Sequence, residues 1–228
     1  MKKLDVTRNL AIAHYDSKNQ IALMTLQSPS GQFENIFIEC NSNDSRSFNF
    51  SDRNDPSATT TNCTENANCT VSLTSMMPGT NYTCQAMTMK TNFSNETKSF
   101  NNISTKLDSI NGLNISSYDP KQNKASITIR MPDGNYDNVS IVCYDSDSQN
   151  PRFQLSINQE ECRPNATCTS VASMIPGTNY TCNATTIRKN FDNVSITCTN
   201  ITTMLDTVRN LTLESNDPEY QNATIIVE

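Results

Sequence analysis

The 228-residue chain has no Trp, one His and only five Gly. A lone His14 excludes imidazole-rich zinc sites; it is expected at the surface, between the first two predicted strands. Five Gly, all where turns are expected, leave no Gly-rich phosphate loop. No apolar run reaches the roughly 18–20 residues that cross a bilayer as a helix. Positive charge is also short: Lys and Arg number 17 against 23 Asp and Glu, for a net charge of −6 and a pI near 4.8. Without a basic stripe, nucleic acid and heparin are excluded as partners. Apolar residues make up 35% of the chain, below the roughly 45–50% of ordinary globular domains. Thin cores need another source of stability.

Nine Cys can supply it. Asn-x-Ser/Thr sequons occur 17 times, at Asn43, Asn49, Asn62, Asn68, Asn81, Asn92, Asn95, Asn102, Asn114, Asn138, Asn165, Asn179, Asn183, Asn193, Asn200, Asn210 and Asn222. Composition alone would generate roughly 7. With the Cys, this excess points to the secretory pathway and to N-linked glycans as covalent partners. The start, Met1-Lys2-Lys3-Leu4-Asp5, has no apolar stretch behind its charges and is not read as a signal peptide. The expectation is a segment of a longer extracellular or cell-surface protein, anchored to a membrane only through parts outside this chain.

The heptapeptide PGTNYTC stands at residues 78–84 and again at 176–182. Leu4-Asp5, Leu107-Asp108 and Leu205-Asp206 open three similar stretches, each with a second Leu six residues on, at Leu10, Leu113 and Leu211. A repeat near 100 residues matches a globular domain in tandem. The boundaries read from it are 1–106, 107–204 and a truncated third start at 205–228. Period-two alternation runs through Ala22, Met24 and Leu26, through Ile36, Ile38 and Cys40, and through Tyr82, Cys84, Ala86 and Thr88. The second copy repeats it at Ala125, Ile127 and Ile129, at Val139, Ile141 and Cys143, at Tyr180, Cys182, Ala184 and Thr186, and at Val194, Ile196 and Cys198. No helical stripe is sustained. Short strands broken by turn residues predict an all-β antiparallel sandwich.

In PGTNYTC, Pro-Gly makes a turn. The strand that follows should point Asn81 out, Tyr82 in, Thr83 out and Cys84 in, with the same parity at Asn179 to Cys182. On the stretches Met76–Tyr82 and Met174–Tyr180 the unit resembles the fibronectin type III domain, whose signature at this corner is L-x-P-x-T-x-Y. Met stands where that family has Leu, and Leu26, Ile129 and Val227 stand where it has a core Trp. Turns at Ser28-Pro29-Ser30-Gly31 and Met131-Pro132-Asp133-Gly134 match the family's turn after its second strand. The heavy sequons and Cys further resemble receptor-type tyrosine phosphatase ectodomains. The resemblance implies tandem immunoglobulin-like sandwiches with tyrosine corners at Tyr82 and Tyr180.

Four Cys per copy allow three connectivities. The implied topology lays the third strand beside the sixth, which makes Cys40–Cys84 and Cys143–Cys182 feasible. Cys63–Cys69 and Cys162–Cys168 would close short loops before the fifth strand. Cys198 is left unpaired, at a position the repeat aligns with Phe100. The outward Asn81, Asn95, Asn102, Asn179, Asn193 and Asn200 are the glycan candidates. No catalytic or metal-binding set is evident, so the chain is expected to be non-enzymatic and without cofactor. Asp52-Arg53-Asn54-Asp55-Pro56 is a weak calcium-like string, and Asp145 and Asp147 are expected in a solvated loop. Short joins at Thr105–Asp108 and Thr203–Asp206 suggest a semi-rigid rod. The function expected is a spacer or protein-binding segment of a receptor or adhesion protein. Part of a receptor phosphatase with its catalytic domain elsewhere, or a passive stalk, are the alternatives.

Overall fold

In the computed structural model, residues 4–44, 56–60, 63–145, 151–205, 211–217 and 222–227 are described. The string at 52–55, the sequons Asn49, Asn62 and Asn210, and Asp147 lie outside them.

Among the described residues there are sixteen strands and no helix. The first sandwich comprises β1 (Arg8–Asp16), β2 (Ile21–Gln27), β3 (Asn35–Ser42), β4 (Ser57–Thr60), β5 (Asn68–Leu73), β6 (Asn81–Met89) and β7 (Glu96–Ser104). The second comprises β8 (Leu113–Asp119), β9 (Lys124–Arg130), β10 (Asn138–Asp145), β11 (Pro151–Asn158), β12 (Thr167–Ser173), β13 (Asn179–Ile187) and β14 (Val194–Thr202). Each pairs a three-stranded sheet, β1-β2-β5 or β8-β9-β12, with a four-stranded one, β4-β3-β6-β7 or β11-β10-β13-β14, all antiparallel. A further hairpin, β15 (Leu211–Asp217) with β16 (Asn222–Val227), follows.

The cores follow the period-two pattern. Met24, Leu26, Ile36, Ile38, Leu73 and Met76 are fully buried in the first sandwich. Ile127, Ile129, Met131, Tyr136 and Ile141 are so in the second. Val194, Ile196 and Cys198 are only half-buried, because β14 is an edge strand. Three expectations need correction. His14 lies within β1, exposed and paired with Leu23, rather than between strands. Cys69 and Cys168 sit inside β5 and β12 rather than ahead of them. Asp145 is no loop residue: it ends β10, is buried, and pairs with Arg152 across the hairpin.

Asn has a backbone role here beyond its sequons. Among the described residues, ten non-Gly residues have positive φ, and eight are Asn: Asn9, Asn66, Asn92, Asn102, Asn123, Asn165, Asn190 and Asn200. Asn tolerates the left-handed region better than other residues with a Cβ, so it takes the turns and bulges that five Gly cannot cover. Asn102 and Asn200 hold equivalent places, where β7 and β14 slip register against β6 and β13.

Candidate functional site

Among the described residues, the most elaborated polar site is the joint between the sandwiches. It grows from the repeated motifs. Thr80 Oγ1 donates to the Pro78 carbonyl (3.2 Å), and Gly79 N–H donates to the Lys106 carbonyl (2.8 Å). This ties the Pro-Gly turn to the chain leaving β7. Leu107 then lies against Gly79, where a side chain would strike its Cδ2. The next residue, Asp108, turns the other way: its Oδ2 accepts the Asp133 N–H (3.1 Å) of the turn after β9. Asp5 does the same in the first sandwich, accepting from Ser30 N–H (3.3 Å) and from the Ser30 hydroxyl. Leu-Asp is therefore a two-sided link. The Leu packs on the preceding sandwich's turn and the Asp clamps the following one's.

The two turns interlock. Asn135 N–H donates to the Pro78 carbonyl (3.0 Å), and Asn135 Nδ2 donates to Thr80 Oγ1 (2.9 Å). Gly79 and Gly134 have φ of +60° and +77°, and a Cβ on either would land on the opposing turn: Gly79's on the Asn135 carbonyl oxygen, Gly134's on that of Pro78. Ser17 Oγ donates to Asp108 Oδ1 (2.8 Å), and Gln20 Nε2 donates to Asp133. On another side, Arg188, in the turn after β13, reaches Asp44 at the end of β3. Its Nη2 and Nη1 lie 2.7 and 3.2 Å from the two carboxylate oxygens. The pair is largely enclosed, with side chains 10% and 15% exposed, and the bidentate fork fixes an angle as well as a distance. The Arg188 guanidinium also covers the Phe191 ring. Thr80, Leu107, Asp108 and Asn135 are all buried. These contacts join the two sandwiches through their turns.

The predicted residues fall as follows. Cys40 and Cys84 are bridged between β3 and β6, and Cys143 and Cys182 between β10 and β13, with Cα atoms 4.0 Å apart in both. Cys63–Cys69 and Cys162–Cys168 are also bridged, at 5.7 and 6.2 Å. Cys198 is free, paired in register with Cys182 as Phe100 is with Cys84. Burial pushes its thiol pKa up. Tyr82 and Tyr180 are buried, and each hydroxyl accepts the N–H five residues upstream, from Met77 and Ile175, at 2.7 Å. Asn95, Asn102, Asn179, Asn193 and Asn200 are exposed; Asn81 is half-buried and accepts from Ser104.

Sequence reasoning missed Tyr15 and Tyr118, whose hydroxyls donate to the Met76 and Met174 carbonyls at 2.7 and 2.9 Å. Their recurrence 103 residues apart, the spacing of Leu4 and Leu107, was the available signal. It also missed Thr80, Asn135 and the Asp44–Arg188 pair, whose loop positions carry no periodicity.

No family model and no curated relative matches this sequence. Among solved structures, the fold is similar to a segment of two fibronectin type III domains from chicken tenascin. The TM-score is 0.54 and the identity 14%, over 85% of this chain and 98% of that one. The FN1–FN3 domains of chicken CNTN1 align at a TM-score of 0.40 and 10% identity, over 99% of this chain and 86% of that one. The chain thus folds as tandem fibronectin type III-like β-sandwiches.

Proposed function

We propose that this chain is an extracellular, glycan-coated rod segment of a cell-surface receptor or adhesion protein. The interlocked joint carries the reading, because a freely jointed tether has no use for buried turn-to-turn hydrogen bonds. Four disulfides within the sandwiches suit an oxidising compartment. Exposed sequon Asn on both sandwiches suit sugar attachment on the outside. With the longest strands of nine residues rising ~3.3 Å per residue, two locked units hold whatever they carry roughly 60 Å from their base. No helix among the described residues is long and apolar enough to cross a membrane.

A protein ligand is the second element of the proposal. It is supported by the outer face of the first four-stranded sheet, where Phe37 pairs with Met87 and Met89 follows on the same face. The second sandwich has Ser140, Thr185 and Ile187 there, with the sequon Asn183 in place of Gln85. Asn95 Nδ2 lies 3.6 Å from Met87 Sδ, so a glycan on Asn95 would border this patch. A passive stalk would carry that glycan and bind nothing. A receptor phosphatase is decided by the coding sequence downstream, which would need a membrane helix and a phosphatase domain.

The experiment is secretion from eukaryotic cells, followed by glycosidase treatment and small-angle scattering. The reading expects a mass drop on deglycosylation and one extended particle with a narrow range of lengths. An unglycosylated product, or a broad ensemble of compact and extended forms, would overturn it.

A further inference from the structure

The far end of the second sandwich repeats the joint without its lid. Gly177 N–H donates to the Met204 carbonyl (3.0 Å), as Gly79 does to Lys106. Thr178 Oγ1 donates to the Pro176 carbonyl (3.2 Å), as Thr80 does to Pro78. Thr203 Oγ1 accepts from Thr178 N–H (3.0 Å) and donates to the Ile175 carbonyl (2.6 Å), as Thr105 does with Thr80 and Met77. Leu205 lies over Gly177 as Leu107 lies over Gly79. Local structure is therefore the same; exposure is not. Leu107 is 3% exposed and Leu205 78%. Met204 is 66% exposed and Ile175 46%, while Thr80, fully buried in the first joint, has a half-buried counterpart in Thr178. The second copy thus presents uncovered a surface that is buried at the first joint.

We infer that this end face, formed by Ile175, Pro176, Gly177, Met204 and Leu205, docks a third sandwich through a copy of the first joint. The occupant is the sandwich opened by β15 and β16. That hairpin reproduces β8–β9, with Leu211 opposite Val227 where Leu113 faces Ile129, and a register shift between Leu213 and Ser215 where β8 has one between Ile115 and Ser117. The sequence that enters it repeats the Leu-Asp step of the first joint, as Leu205-Asp206. The first joint also states what the docking turn must be. It follows the sandwich's second strand, has Gly where Gly134 stands, since a Cβ there would meet the Pro176 carbonyl, and is followed by a residue donating from backbone and side chain, as Asn135 does. The inference stands on the geometry of the first joint and not on the extracellular reading.

The test uses the protein carrying its whole third sandwich. The readouts are the rate of limited proteolysis across residues 203–210 and the particle length from scattering. Leu205→Asp is expected to raise cleavage there about tenfold and to broaden the length distribution, with the unfolding temperatures of the sandwiches unchanged. Leu107→Asp should do the same at 105–110 and serves as the matched control. Because Leu205 is outside both cores, the variant keeps its folds; Met204→Lys supplies a second change on the same face. If wild-type protein is already cut at 203–210 as fast as Leu205→Asp while 105–110 is protected, the inference fails. It fails equally if light scattering shows dimers that Leu205→Asp abolishes while the third sandwich tumbles freely, since the occupant is then a second copy.

Discussion

Tyr15 and Tyr82 hold opposite ends of one peptide group. The Tyr15 hydroxyl, from the three-stranded sheet, donates to the Met76 carbonyl, and Met77 N–H donates to the Tyr82 hydroxyl of the four-stranded sheet, both at 2.7 Å. Tyr118 and Tyr180 grip the Met174–Ile175 peptide in the same way. One non-strand peptide thus ties both layers of each sandwich, directly ahead of the turn that builds the joint. Burial pushes the Tyr15 phenol far above its ordinary pKa, so it stays a donor at any physiological pH. Tyr82→Phe strands the Met77 N–H and should cost about 1–3 kcal/mol, lowering the first sandwich's unfolding midpoint while the second transition stays put. Equal movement of both transitions would show that the grip is not local.

The joint gives a second expectation from paired glycines. Gly79→Ala and Gly177→Ala place a side chain at nearly the same φ, +60° and +61°. Both therefore carry the left-handed strain of roughly 1–2 kcal/mol. Only at Gly79 does the Cβ meet backbone of the next sandwich, the Asn135 carbonyl; at Gly177 it meets the movable Leu205 side chain. Gly79→Ala should therefore loosen the angle between the two sandwiches, seen in residual dipolar couplings, while Gly177→Ala leaves that angle intact. Arg188→Lys, which loses the bidentate fork to Asp44, should loosen it less. Identical couplings in wild type and Gly79→Ala would remove the wedge from the account.

Strand parity was legible because burial in a sheet repeats every two residues. Each residue of the alternating sets in β2, β3 and β6, and of their counterparts in β9, β10 and β13, is buried as that rule requires. Asp145 shows the rule outrunning its use: it continues the inward series Val139, Ile141 and Cys143, and its buried carboxylate has Arg152 as partner. The joint was legible only as a short, Leu-bearing connection. Its contacts belong to turn residues far apart in sequence, such as Asp44 and Arg188, which no periodicity brings together. The Asn were read through their sequons, yet half of the left-handed ones, Asn9, Asn66, Asn123 and Asn190, belong to no sequon.

Parity also buries two hydroxyls at a cost. Thr88 Oγ1 and Thr186 Oγ1, at equivalent places in β6 and β13, are enclosed and find no hydrogen-bond partner among the described residues. Thr88→Val and Thr186→Val keep the branched shape and remove the unpaired group. Each should stabilise its own sandwich by about 1 kcal/mol, a rise of roughly 4–8 °C in that transition. Destabilisation by either change would mean that the hydroxyl is satisfied in solution.

Asp5 supplies a pH expectation. The Ser30 hydroxyl first, then the Val6 N–H, hold its carboxyl down at about 2 from an ordinary 3.8. A depressed carboxyl contributes stability that is complete above the unfolded value and lost as pH falls through the folded one. The clamp on the Ser28–Gly31 turn should therefore release between about pH 4 and pH 2. A carboxyl-carbon titration by NMR should show the low midpoint, and Ser30→Ala should move it upward. A wild-type midpoint near 3.8 would mean the clamp is open in solution.

Cys198 is where the second sandwich departs from the first. Phe100 fills the corresponding register position beside Cys84 and, like Cys198, packs against the core from an edge strand. A thiol there leaves volume that a ring occupies in the other copy, and burial raises its pKa, which suppresses the reactive thiolate. Folded protein should therefore react with a disulfide reagent at pH 8 about tenfold or more slowly than a free thiol, and denaturation should release a single equivalent. Cys198→Phe restores the first sandwich's solution and should fold with unchanged or higher stability. A folded protein whose Cys198 reacts at the rate of free thiol would overturn this, because the side chain would then sit in water rather than against the Cys143–Cys182 bridge.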